Sequence, residues 1–247
     1  MGLLLDVAGS HGASLNEVLM VPPPPPTRSY APVSNRDLVD LIDERTDKIV
    51  GLPVKSRRFG LSQKGQQMFG TYTFDVGDAE RGLSIGFRNS NNKTLSVGIV
   101  TGASVFVCSN LCFSGDAFKV VKKHTVNVWQ SVTEIIDTAI MAAATNYQAL
   151  DADFCAWKAV EVQEARGAEL IGRALYDGVL APQQATIAMA DWRNARHEQF
   201  ADRTAWSLYN CYTEAVKKGP AGAQINRSTG VHDWFRGQHQ QAWRTAA

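Results

Sequence analysis

The 247-residue chain has only four cysteines, Cys108, Cys112, Cys155 and Cys211. They lack the dense, regular spacing of a small secreted scaffold, so the thiols are expected to be reduced. No run of about 18 consecutive apolar residues occurs, and no membrane span is expected. Asp6 interrupts the apolar start, and no basic segment precedes it, which argues against a secretory signal. Asp6 also stands where a myristoylation motif after Gly2 wants Ser or Thr. A cytoplasmic protein is the expectation. Catalytic signatures are missing as well. There is no G-x-S-x-G, no local cysteine-protease pattern and no G-x-x-x-x-G-K-S/T loop. Neither a catalytic residue nor a cofactor is expected, and there is no internal repeat.

What is present suits one large domain with appended segments: 45% apolar and 20% charged residues over a length that can bury a sizeable core. Residues 1–34 read as an N-terminal extended arm. Its five prolines, Pro22–Pro26, have fixed φ and no N–H, which favours polyproline II. A stiff arm lying across the domain is the expected role, with recognition by a partner as the alternative. A short helix follows, capped by Ser34 or Asn35, with Leu38, Leu41 and Ile42 on one face.

Residues 50–108 read as strands. The segments starting at Val54, Gln67, Leu83 and Leu95 are rich in β-branched and aromatic residues and are punctuated by glycine. Asn89–Lys93 supplies a hairpin turn, and Ser104–Cys108 a further apolar strand. After Trp129 the hydrophobic period changes from two to about 3.6. Val132, Ile135, Ile136, Ala139, Ile140, Ala143 and Tyr147 define a long helix, expected to run past Trp157 toward Arg166 or to break near Asp151. Further helices are predicted from Pro182 to about Glu198 and from about Arg203 to Lys218. Residues 219–247 read as a weakly ordered C-terminal tail in which Trp234, Phe235 and Trp243 are available to dock. The fold class is therefore α+β: an antiparallel β-meander packed against a long helix, followed by further helices. The α+β domain spans 35–218, strand-rich at 50–108 and helical at 131–218.

Charge is segregated along this chain. Residues 52–124 hold ten Lys or Arg against four Asp or Glu, a net of +6, whereas residues 125–218 carry −4 and residues 1–51 carry −3. A positive face on a near-neutral protein attracts phosphate backbones through its local field. The candidate nucleic-acid-binding residues are Arg57, Arg58, Lys64, Arg88, Lys93, Lys122 and Lys123 for phosphates, with Phe59 or Phe87 to stack on bases. An acidic protein partner is the competing reading of the same charge.

Other clusters are weaker. Cys108, Cys112 and His124 have a possible zinc spacing without a second pair, and small buried residues at a strand end are expected instead. Asp75, Asp78 and Glu80 suggest magnesium for a nuclease, against the commoner reading of acids in a turn. Arg193, Arg196 and His197 on a predicted helix suggest a second basic patch, against the commoner reading of a solvated helix face. Trp129, Trp157, Trp192 and Trp206 are expected in the core.

Four stretches carry a family resemblance: Thr27-Arg-Ser-Tyr-Ala-Pro-Val, Gly86-Phe-Arg-Asn-Ser-Asn-Asn-Lys-Thr-Leu, Gly102-Ala-Ser-Val-Phe-Val-Cys-Ser-Asn and Thr204-Ala-Trp-Ser-Leu-Tyr-Asn-Cys-Tyr-Thr-Glu. In this order, with Lys123-His-Thr between the last two, they resemble the phage- and plasmid-related family called domain of unknown function 932, over roughly residues 20–235. The resemblance implies an accessory protein of mobile elements and supplies no catalytic residues. At the level of fold, the predicted helix, strand meander and long helix are similar to the core of Rad52-type single-strand annealing proteins. The functional expectation is an ATP-independent binder of single-stranded DNA, acting as a homo-oligomer in recombination or replication. The alternatives are an anti-defence factor acting on a host protein, and a metal-dependent nuclease.

Overall fold

A computed structural model describes residues 10–50, 53–78, 81–105, 110–112, 120–122, 128–217 and 221–238. Seven strands form one antiparallel sheet: β1 (Ser10–Ala13), β2 (Val54–Ser62), β3 (Gln67–Gly77), β4 (Arg81–Ser90), β5 (Val97–Val105), β6 (Asn110–Cys112) and β7 (Val120–Lys122). The first five lie side by side in chain order, as short connections dictate. β6 and β7 share the outer edge of β5, pairing with Ala103–Val105 and Val97–Ile99 respectively. The fold is α+β.

Strand alternation places Phe59, Tyr72, Ile85, Phe87 and Ile99 on one face. Two helices cover it. They are α2 (Asn35–Arg45), which runs on into a π-helical turn at Thr46–Val50, and the 31-residue α3 (Val128–Lys158). Leu38 and Ile42 of α2 meet Val132, Ile135 and Ile136 of α3 over Phe87, Val97 and Ile99. The rings of Phe59, Tyr72 and Phe87 pack edge to face, 5.2 to 6.2 Å apart. Gly70 makes this possible. It lies opposite Phe87, and a Cβ there would sit 2.2 Å from the Phe87 ring.

α3 extends about 46 Å at 1.5 Å per residue and passes Asp151 without a break. Its C-terminal third carries Phe154 and Trp157 into a second, helical layer built from α4 (Glu164–Tyr176), α5 (Pro182–Arg193), α6 (Ala205–Val216) and α7 (Ala221–Gly237). α6 is the axis of that layer, with every residue from Ala205 to Thr213 buried. Two of its polar side chains bond back to its own backbone, Asn210 donating to the Trp206 carbonyl at 2.9 Å and Thr213 to the Asn210 carbonyl at 3.2 Å. Phe154, Trp157, Trp206, Tyr209 and Phe235 make a continuous aromatic cluster around it.

Several sequence boundaries need correction. The long helix stops at Lys158, and α4 follows as a separate element. The expected helix to Glu198 ends at Arg193, with a single 3-10 turn at Glu198–Phe200. Of the strand expected at Ser104–Cys108, Ser104 and Val105 end β5, and residues 106–108 lie outside the described residues. Residues 221–237 are a helix, docked through Phe235 and His232. The arm is not wholly irregular: it contains β1 and a short helix α1 (Leu15–Leu19), whose capping box joins Ser14 and Glu17. Among the described residues, no helix is long and apolar enough to cross a membrane.

Candidate nucleic-acid interface

The turns β2–β3 and β4–β5 lie next to each other at one end of the sheet. The Asn91 N–H donates to the Gln66 carbonyl at 2.8 Å, and Gln67 Nε2 donates to Thr94 Oγ1 at 2.7 Å. Each turn projects an exposed lysine from a residue in the left-handed region: Lys64 with φ of 58° and Lys93 with φ of 63°. Two strand spacings separate them, about 10 Å. Lys122 pairs in register with Val97 at this same end of the sheet. Two of the predicted phosphate ligands, Lys64 and Lys93, therefore come to one rim, and the backbone of Lys122 lies at the same end of the sheet. Lys123 lies outside the described residues.

The N-terminal arm is anchored at this rim. Asn91 Nδ2 donates to the Pro22 carbonyl at 3.2 Å, and Val21 touches the turn beside Gly65. The buried amide of Asn89 donates both to the Val33 carbonyl at 2.7 Å and to Asn35 Oδ1 at 2.9 Å. Lys93 Nζ stands 4.3 Å from the centroid of the Tyr30 ring, a cation–π contact that leaves the ammonium exposed.

The other predicted ligands are placed differently. Arg57 and Arg58 are exposed on β2, well away from the rim. Arg57 is 43% exposed, pairs with Asp43 at 3.3 Å and covers the Tyr72 ring at 5.2 Å. Arg58 points to the opposite face and forms no ion pair among the described residues. Phe59 and Phe87 are 4% and 0% exposed, as members of the aromatic trio under α2. They are core residues and do not stack on bases. Arg88, 8% exposed, is also not a surface ligand; burial pulls its guanidinium below the ordinary value. Alternation misleads here because β4 is buried on both faces, whereas a half-buried strand exposes one.

The family described as Domain of unknown function 932 matches residues 26–244. The chain belongs to that family. No curated protein and no solved structure matches it.

From the remaining clusters, Asp78 and Arg196 are engaged within the fold. Asp78 gives one carboxylate oxygen to the Arg81 N–H and the other to its guanidinium, at 2.7 and 2.9 Å. Asp75 is exposed, and Glu80, Cys108 and His124 lie outside the described residues. Arg196 bridges Asp191 and Glu214, at 3.1 and 2.9 Å, and so fills the space between two acids lying near His197 and Cys211. Burial pushes the Cys211 thiol far up, which keeps it protonated and inert. Among the described residues, no group of three or more His, Cys, Asp or Glu is placed to hold a metal.

Sequence reasoning missed Arg81. It is 4% exposed and is held by Asp78 and by Asp151 of α3 at 3.0 Å, with its guanidinium 5.6 Å from the Phe154 ring and 5.7 Å from Trp206. Burial pulls its pKa down, but Asp151 and Asp78 outweigh this and hold it above the ordinary value. A lone arginine after a turn acid resembles any surface pair. Only the pairing of β4 with β5 beneath α3 shows it as the joint between sheet and helices.

Proposed function

We propose that the protein binds single-stranded nucleic acid through its phosphates, along the rim formed by Lys64, Lys93 and Lys122. The observation that carries this reading is the arrival of Lys64, Lys93 and the backbone of Lys122, from three separate segments, at one end of the sheet. Cations gathered at one end of the sheet suit a phosphate backbone. With Phe59 and Phe87 in the core, charge neutralisation rather than stacking supplies the affinity, so recognition is indifferent to sequence. Annealing in recombination or replication extends this reading. It requires two strands to meet, hence more than one copy of the chain, and no nucleotide hydrolysis.

The test is binding of a labelled oligothymidylate and of a duplex across a salt series, by fluorescence anisotropy. Three neutralised phosphates on a single strand give a slope of about −2 in log affinity against log salt. Raising salt from about 50 to 200 mM then weakens binding about 20-fold. The double variant Lys64→Glu, Lys93→Glu should lose most of that slope. Absence of binding at low salt, or an unchanged slope in the double variant, would refute the assignment.

A further inference from the structure

Five prolines in succession set their own conformation. Each has a fixed φ, and each residue before a proline is confined to the extended region, so Pro22–Pro25 are held in polyproline II, with three residues per turn. Burial follows that period. Val21 and Pro24, three residues apart, are half-buried, whereas Pro22, Pro23, Pro25 and Pro26 are exposed. One ridge of the helix therefore rests on the domain. The other two, Pro22 with Pro25 and Pro23 with Pro26, face solvent, so the arm is not packed flat along its prolines. Both ends of the run are clamped. The Pro22 carbonyl accepts from Asn91 Nδ2 at 3.2 Å, and Thr27 and Tyr30 exchange backbone hydrogen bonds at 2.9 and 3.3 Å, with the Tyr30 side chain buried. Between the clamps, no described residue bonds to the carbonyls of Pro23–Pro26. Arg28 follows two residues after Pro26; it is exposed and forms no ion pair among the described residues.

We propose that Pro22–Arg28 is a docking segment for another protein, one that carries an aromatic-lined groove with carboxylates at one end. Pro22–Pro23 and Pro25–Pro26 are two exposed dipeptides about 9 Å apart, each presenting a flat apolar surface to a slot between aromatic rings. Arg28 lies beyond the second dipeptide, where a carboxylate on the groove rim pairs with it. Met20, 76% exposed just before the run, extends the apolar contact. Clamping lowers the ordering cost, because the bound conformation is the one the protein already holds. A second copy of this chain does not supply the groove. Among the described residues, Tyr176 is the one exposed aromatic side chain, and the charge beside it is a cation, the Arg173 guanidinium at 5.6 Å. Nucleic acid is not the occupant either, since the prolines offer a phosphate no N–H donor and the stretch holds one cation. This reading does not rest on the lysine rim.

The probe is a fluorescein-labelled SH3 domain whose aromatic groove is bordered by carboxylates, titrated with the whole protein. Saturable binding is expected. Pro23→Ala and Pro26→Ala, on the exposed ridges, should each weaken it at least about fivefold, and Arg28→Glu at least about tenfold. Pro24→Ala, on the ridge turned to the domain, should change it by less than about twofold. Urea midpoints matching the parent in all four variants show that lost binding is not lost folding. The titration contains no nucleic acid, so its result is independent of the lysine rim. Three outcomes would overturn the proposal. One is an absence of saturation up to about 1 mM protein. Another is a loss in Pro24→Ala as large as in Pro23→Ala and Pro26→Ala, which would mean that proline content rather than the presented ridges is read. The third is parental affinity in Arg28→Glu, which would remove the acidic groove.

Discussion

Arg81 offers a test of how the two layers are joined. Its guanidinium is 4% exposed, whereas its partners Asp78 and Asp151 are 50% and 37% exposed. The two sides of the joint therefore respond unequally to mutation. In Asp151→Asn a buried cation keeps one charged partner out of two. Removing one member of a buried ion pair costs about 3–5 kcal/mol, and the surviving Asp78 together with the partial exposure of Asp151 brings the expected loss to about 2–3 kcal/mol. In Arg81→Met the charge itself is gone. Both acids can hydrate where they stand, and the Met side chain occupies the slot between Phe154 and Trp206. The loss is then the cation–π and packing difference, about 1 kcal/mol. Urea unfolding followed by tryptophan fluorescence resolves these values, since about 2 kcal/mol moves the midpoint by roughly 1 M at a typical slope. The order is the prediction: Asp151→Asn should be the less stable variant, and the double variant should return close to Arg81→Met alone. If Arg81→Met proves the more destabilised of the two, the ion triad is a net source of stability, and the desolvation argument fails.

Two further outcomes follow from groups near that joint and the rim. Burial, reinforced by Asp151, pushes the Tyr147 hydroxyl up to about 12; the unfolded chain releases this proton near its ordinary value, so the stabilising contribution is intact below about pH 10 and is lost as pH rises toward 12, an effect of no more than about 2 kcal/mol. Urea midpoints measured from pH 9 to 11.5 should therefore fall less for Tyr147→Phe than for the parent chain, and parallel curves would contradict the assignment. Asn89→Ala removes both hydrogen bonds that hold the arm at Val33 and Asn35, at a cost of about 2–3 kcal/mol. Limited trypsin digestion after the exposed Arg28 should be at least several-fold faster in this variant, and an unchanged rate would show that the arm is held elsewhere.

Legibility from sequence followed local periodicity and failed where tertiary cover decided the outcome. The α3 pattern from Val132 to Tyr147 is visible because one face repeats without interruption, and the structure buries Val132, Ile136, Ala139, Ile140, Ala143 and Tyr147. The hairpin turn at Asn89–Lys93 is visible because its composition admits the left-handed residue that Lys93 becomes. α7 is the opposite case. Its apolar anchors are few, and the helix is held by packing of Val231, His232 and Phe235 against α6 and α3. Nothing in the alternation of β4 distinguishes a strand with one solvated face from one covered on both. For that reason the sequence pattern puts Phe87 and Arg88 on a surface they do not reach.

Two of the stretches that carry the family resemblance serve as internal fasteners. Asn89 and Asn91 tie down the arm, and the Thr204–Glu214 stretch is the buried axis of the helical layer. Such residues specify how the chain folds, and a protein with any ligand needs them equally. Family membership therefore carries fold information here and little about the ligand. Lys93 is where the two kinds of information meet. Its position over Tyr30 fixes the turn against the arm, while its charge remains at the rim beside Lys64. A neutral residue of similar length at position 93 would keep most of the packing and lose the charge. Binding measured in Lys93→Met thus separates the fastening role from the phosphate role within one side chain.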